Sequence, residues 1–210
     1  MQVASITTPA AKMGGVDDIG RDSLPAGARA VVLVEGLSDQ AAVEAVARQR
    51  GRDLAAEGVV VFPMGGATNI GRFLELLGPR GAGLTLTGLC DAGEEAYFRR
   101  TLERAGFGSP TTRAEMADLG FYVCDADLED ELIRSLGATD VERVIDAQGD
   151  LNAFRLLQQQ PAQRGRSVEQ HLRRFMGSGS GRKIRYASLL VDALDQARVP
   201  TPLTLLLEHI

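Results

Sequence analysis

Histidine, cysteine and lysine are nearly missing from this 210-residue chain, which has two of each. Cys90 and Cys124 give no disulfide framework. With only His171 and His209 beside them, no zinc-ligand cluster can be assembled. A reduced, cytoplasmic setting is the expectation. No stretch approaches the roughly 20 apolar residues of a membrane span. The N-terminal region, with Lys12, lacks an apolar core of signal-peptide length. No Gly-rich loop ends in Lys-Ser or Lys-Thr, so there is no Walker A sequence. The net charge of -5 disfavours broad electrostatic attachment to nucleic acid. It leaves room for a local basic face, because Arg164, Arg166, Arg173, Arg174, Arg182 and Arg185 cluster late in the chain. Lys183 lies inside that cluster and is the only lysine after Lys12. Only lysine offers a compact point charge with a readily tuned pKa.

What the chain does have is a set of apolar runs that end in acids. Val31-Val32-Leu33-Val34 stops at Glu35, and Asp39 follows four residues later. Gly58-Val59-Val60-Val61-Phe62-Pro63 is a second such run, closed by a proline that cannot donate to a ladder. A Gly65-Gly66 turn with Asn69 leads from it into an amphipathic helix. Leu84 to Cys90 ends in Asp91-Ala92-Gly93-Glu94-Glu95, and Gly120 to Cys124 ends in Asp125-Ala126-Asp127-Leu128-Glu129-Asp130-Glu131. Short Val-rich runs of this kind read as buried parallel strands, each followed here by a helical pattern. The alternation predicts a largely parallel sheet with right-handed crossovers, and such sheets bind ligands outside their carboxyl ends. Three strands therefore deliver acids to one edge. Ser38 is the expected cap of a helix over about 38–50, with Gly51 just beyond it.

From about 139 no strand is expected. Helical patterns cover 139–147, 150–159, 167–176, 182–197 and 203–209, punctuated by Pro161, the 177–181 Gly/Ser tract and Pro200/Pro202. The expected fold is α/β, a Rossmann-like sheet of about four strands flanked by helices. A loose arm (1–27) precedes the core (28–138), and a helical C-terminal extension (139–210) follows it.

Oxygen donors in this pattern suit a hard cation such as Mg²⁺, which keeps several waters and needs few carboxylates. For Glu129 or Glu131 alone, helix N-terminal charge is at least as good an explanation, and a solvated loop acid at Glu35 with a helix-start charge at Asp39 is an equal one. Taken jointly, Val34-Glu35-Gly36-Leu37-Ser38-Asp39, the Gly65-Gly66 turn with Asn69, Leu89-Cys90-Asp91-Ala92-Gly93, Asp127 to Leu132, and Lys183 with Ala187 resemble the Toprim domain of OLD (overcoming lysogenization defect) nucleases. The resemblance runs over about 29–200.

It implies Mg²⁺- or Mn²⁺-dependent phosphodiester hydrolysis. Glu35, Asp39 and Asp91 would hold one ion, and Glu129 with Asp91 or Glu94 a second. Lys183 would neutralise charge developing on the phosphate, so Glu35, Asp91 and Lys183 are the catalytic candidates. Toprim domains carry Asp-x-Asp at the second motif, and here the second position is Gly93. Either Glu94 or Glu95 supplies the missing oxygen, or the site binds metal weakly. Asp125-Ala126-Asp127 also reads Asp-x-Asp and is a candidate for the second-ion side. DNA or RNA is the expected partner, with no membrane association and a homo-oligomer allowed. Since OLD proteins carry an ATPase part and no Walker A sequence is present here, the chain is either a stand-alone module or acts with a separately encoded ATPase. The alternatives are a degenerate regulatory module that binds metal or nucleic acid, and a primase-like phosphoryl-transfer enzyme.

Overall fold

The computed structural model describes residues 24–179 and 181–210. Most of the expected N-terminal arm, and Ser180 of the Gly/Ser tract, lie outside the described residues. Four strands, β1 (Ala30–Val34), β2 (Val59–Pro63), β3 (Thr85–Asp91) and β4 (Phe121–Cys124), form one sheet in the order β2-β1-β3-β4. Every pairing is parallel. β1 is buried at all five positions, as its unbroken apolar run requires.

Alternate residues of β1 serve opposite faces. Ala30, Val32 and Val34 join one core, while Val31 and Leu33 join the other. Helices α2 (Ile70–Leu77), α3 (Glu95–Ala105) and α4 (Arg113–Asp118) cover the second face. Helix α1 (Leu37–Gln49), α5 (Leu128–Leu136) and the C-terminal helices cover the first. The latter are α6 (Ala138–Ala147), α7 (Leu151–Gln158), α8 (Val168–Met176), α9 (Arg182–Asp192) and α10 (Thr201–His209). Cys90 and Cys124 are buried, free and on opposite faces.

Local details differ from the sequence reading in three places. The cap of α1 is Gly36, not Ser38, which is buried in the first turn. The backbone N–H of Gly36 donates to Asp39 Oδ2 at 2.9 Å, so Asp39 itself secures the helix start. The helix expected over 182–197 stops at Asp192, and a single 3-10 turn at Gln196–Arg198 completes the span. Helix α4 was not anticipated, although Thr112 and Glu115 form a capping box there.

The C-terminal helices share their core with the sheet. Helix α9 lies along α1, placing Tyr186, Ala187, Leu190 and Val191 in the same cluster as Val43 and Val46. Polar ties reinforce the packing. Arg50 donates to Thr204 Oγ1 at 2.9 Å, and Arg52 reaches the backbone carbonyls of Leu207 and Ile210. Since Leu190 is fully buried on this contact, Leu190→Ala removes apolar contacts from the core that anchors Lys183. The expected loss is about 2–5 kcal/mol of unfolding free energy, measured by urea titration. A loss under about 0.5 kcal/mol would mean that α9 is not docked on α1.

Candidate functional site

The parallel sheet brings the carboxyl ends of β1, β3 and β4 to one edge. Glu35 is the first residue after β1, and it is exposed, its carboxylate without a hydrogen-bond partner among the described residues. Its backbone carbonyl accepts from the N–H groups of Gly65 (3.0 Å) and Gly66 (3.1 Å). Both glycines have positive φ, 72° and 129°, which lets the turn curl back over β1. Asn69 Nδ2 bonds the Met64 carbonyl at 2.9 Å. The Gly-rich turn thus positions Glu35 through backbone contacts.

Asp39 follows one helical turn later, and Asp91 is the last residue of β3. Asp127 caps α5, accepting from the Asp130 N–H at 2.8 Å. Glu129 is in the first turn of the same helix and only 5% exposed.

These five acids sense one another. Burial, then the charges of Asp127, Glu35, Asp39 and Glu129, raise the Asp91 carboxyl to about 7. Burial likewise lifts Asp39 to about 6, with the Gly36 N–H opposing the rise and Glu129 and Glu35 adding to it. Like charges gathered in a partly buried place favour the protonated form, and a nearby cation relieves the repulsion.

Two cations already do so. Lys183 Nζ lies 3.1 Å from Glu129 Oε2. Burial works against the Lys183 charge, but Glu129, Asp39 and Asp127 outweigh it and hold the ammonium above its ordinary pKa. Arg173, in the last turn of α8, pairs with Asp127 Oδ2.

The sequence candidates separate accordingly. Glu35, Asp39, Asp91, Glu129 and Lys183 are brought into one electrostatic group. Glu94 sits in the 3-10 turn after β3, and its charge registers at Cys90 rather than among the leading charges on Asp39 or Asp91. Glu95 does not supply an oxygen to the group. It is held by Arg113 at 2.8 Å and by Arg99.

The Asp125/Asp127 pair splits. Asp127 joins the group, whereas Asp125 is exposed and bound to Arg113 at 2.7 Å. Glu131 is structural, accepting the Asp125 N–H at 2.8 Å and pairing with Arg134 at 2.9 Å. Sequence reasoning placed Arg173 in a basic cluster but not in the site. Only the packing of α8 against α5 shows where it reaches.

Among the described residues, no three His, Cys, Asp or Glu side chains are already arranged to hold a metal ion. Several of these acids already have partners. The Gly36 N–H holds Asp39, Arg173 and the Asp130 N–H hold Asp127, and Lys183 holds Glu129. The donor set itself is all carboxylate oxygen, which fits a hard divalent cation and not a soft one.

A raised carboxyl pKa means that the native state holds a proton the unfolded chain releases. That stability is present below the ordinary value of 3.8 and is lost as pH rises through about 7 for Asp91. Asp91→Asn removes the titration. In EDTA, the variant should therefore gain on the wild type progressively between about pH 4 and 7. After allowing for solvent screening, the gain at pH 8 is about 1–2 kcal/mol. Chemical denaturation across this pH range checks it, and a variant less stable than wild type at pH 8 would contradict the cost of holding an ionised carboxylate there.

Residues 28–92 match the family model described as "Overcoming lysogenization defect protein-like, TOPRIM domain". Among solved structures, the C-terminal region of the Xanthomonas campestris pv. campestris OLD protein is similar at 26% identity and a TM-score of 0.66. The match covers 87% of this chain and 92% of that one. The C-terminal region of the Burkholderia pseudomallei OLD protein has the same fold, with a TM-score of 0.65 at 22% identity over 87% of this chain and 96% of that one. No curated protein matches the sequence. Among the described residues no helix is long and apolar enough to cross a membrane. The parallel sheet, its acid-bearing edge and these likenesses agree: the chain carries an OLD-like Toprim domain over residues 28–92, within the fold of OLD C-terminal regions.

Proposed function

We propose that this chain is a divalent-metal-dependent phosphodiesterase acting on nucleic acid. The observation that carries the reading is the gathering of Glu35, Asp39, Asp91, Asp127 and Glu129 at one sheet edge, facing the ammonium of Lys183. Glu35, Asp39 and Asp91 would hold one Mg²⁺ or Mn²⁺. Asp127 and Glu129, with Asp91 between, would hold a second. When bound, such ions lower the pKa of water and stabilise charge on phosphate oxygens.

The chain's own groups do the rest. Glu35 is free to turn toward a ligand, because nothing among the described residues restrains its carboxylate. Asp39 is aimed by the Gly36 N–H. Lys183 is held at the rim by Glu129 and can donate to a non-bridging phosphate oxygen, countering the charge that grows in the transition state. DNA or RNA is the substrate class in this reading. Cooperation with an ATPase of the kind that OLD proteins carry, in the cytoplasm, belongs to the same proposal.

A second reading has one observation in its favour. At Gly93 the familiar second acid is missing, so the domain would bind metal without turning over substrate. The position tolerates a carboxylate. A Cβ built on Gly93 meets nothing within 4 Å, and the residue is exposed. Gly93→Asp should therefore tighten Mg²⁺ binding by about tenfold, read by calorimetric titration. Unchanged affinity would show that Gly93 is not a missing-ligand position.

Supercoiled-plasmid nicking and cleavage of single-stranded RNA in Mg²⁺ or Mn²⁺ test the main reading. Glu35→Gln and Asp91→Asn should each abolish activity. Lys183→Ala should lower kcat by about 100-fold with little change in KM, as expected for a charge felt mainly in the transition state. It also strands the buried Glu129 carboxylate, so a lower melting temperature is expected and rates must be taken on folded protein. Saturable Mn²⁺ binding by a wild type that cleaves neither substrate would favour the second reading.

A further inference from the structure

Arg173 is a cation that the proposed chemistry does not use. It lies in the last turn of α8, and Lys183 lies in the first turn of α9, so the two flank the Gly-rich connection between these helices. Each reaches the same short stretch of α5. Arg173 pairs with the cap residue Asp127, and Lys183 pairs with Glu129 two residues on. Both side chains keep about half their surface open, at 50% and 49% exposed, while the acids they hold are 13% and 6% exposed. The guanidinium and the ammonium therefore form the solvent side of these pairs.

The surroundings are one-signed. Between residues 164 and 185 the chain has seven Arg or Lys and a single acid, Glu169, in a protein of net charge -5. Several of these cations are committed to packing or to other acids. Arg182 lies over the Phe175 ring at 4.2 Å, and Arg185 is bound to Asp150. Arg164, Arg166 and Arg174 are exposed. They add exposed positive charge on α8 and in the segment just before it, in the same stretch of sequence as Arg173.

Resting on the phosphodiesterase reading, we infer that Arg173 is a substrate-binding residue. It holds a backbone phosphate next to the one that Lys183 faces, with the further positive charge of α8 and of the residues just before it alongside. The chemistry favours arginine here. A planar guanidinium offers forked donors that fit a carboxylate and a phosphate equally, so it can pass from Asp127 to a phosphodiester without losing its charge-assisted hydrogen bonds. Such a transfer frees Asp127 to face a cation. The same ion pair that orders Arg173 in the free protein then presets it for nucleic acid. The occupant is the phosphodiester backbone, which DNA and RNA share.

The test measures binding apart from cleavage. Fluorescence anisotropy of a labelled 20-nucleotide single strand, as DNA and as RNA, is followed in EDTA and in Ca²⁺ at several salt concentrations. The proteins are wild type, Arg173→Gln, Arg173→Lys and the control Arg143→Gln. Arg143 is an exposed α6 residue paired with Asp140. Arg173→Gln should weaken binding about 5- to 20-fold and flatten the log K against log salt slope by about one ion. Arg173→Lys should recover most of the slope, and the control should match wild type.

Wild-type binding that Arg173→Gln leaves unchanged in affinity and slope would overturn the inference while leaving the phosphodiesterase reading intact. Weaker binding by Arg173→Gln, together with a wild type that cleaves nothing, would support the inference and sink that reading. No wild-type binding to either strand would overturn both. Should Arg173→Gln fail to fold, Arg173→Lys decides. A mere structural tie predicts wild-type affinity, whereas a forked phosphate contact predicts a loss of about 2- to 5-fold with most of the slope retained.

Discussion

The crowding of like charge at one edge of the sheet is the constraint around which the molecule is organised. Five carboxylates, from the end of β1, α1, β3 and the start of α5, meet there, and burial together with their mutual repulsion lifts Asp91 to about 7 and Asp39 to about 6. A fold does not gather acids in this way for stability, because each added charge disfavours the ionised form of the others. The arrangement persists because the backbone leaves little choice. Parallel strands all end at the same edge, and β1, β3 and β4 each lead within a few residues into a helical turn whose N-terminus favours negative charge.

The C-terminal helices are the other half of that balance. Helices α8 and α9 bring Arg173 and Lys183 to the acids of α5, while the same helices bury Phe175, Met176, Tyr186 and Leu190 in the core shared with α1. Packing and electrostatics are coupled here. The apolar face of α9 fixes where its first turn lies, and the first turn carries the lysine. Buried ion pairs are weak evidence for stability in general. In this site their clearer effect is positional, since they hold two mobile side chains at the mouth of the acidic group.

Selectivity within the acidic segments follows from which neighbours are basic. Asp125 and Glu131 are engaged by Arg113 and Arg134, and Glu95 by Arg113 and Arg99, so these acids are turned to structural use. Among the described residues Asp91 and Glu35 have no such arginine, which leaves them available to a cation. The difference between a capping acid and a ligand is set less by its position after a strand than by the side chain that arrives opposite it.

Much was legible in the chain itself. Apolar runs ending in Glu35, Asp91 and the 125–131 acids determine a parallel α/β sheet with carboxylates at one edge, because strand burial on both faces and helix-start acids are local rules with local signals. The OLD-like motif was readable for the same reason, being carried by contiguous residues. The helices after 139 were also visible in their periodicity. What only the tertiary structure decided is the partnership across distance: that Asp127 rather than Asp125 faces the group, that Glu95 is taken by Arg113, and that Gly36 rather than Ser38 caps α1 because Asp39 turns back upon it. The place of Arg173 beside Asp127, 46 positions apart in the numbering, belongs to that class. Such pairings depend on how helices cross over a shared core, and the interhelix geometry is a property of the packed whole that no segment of sequence carries alone.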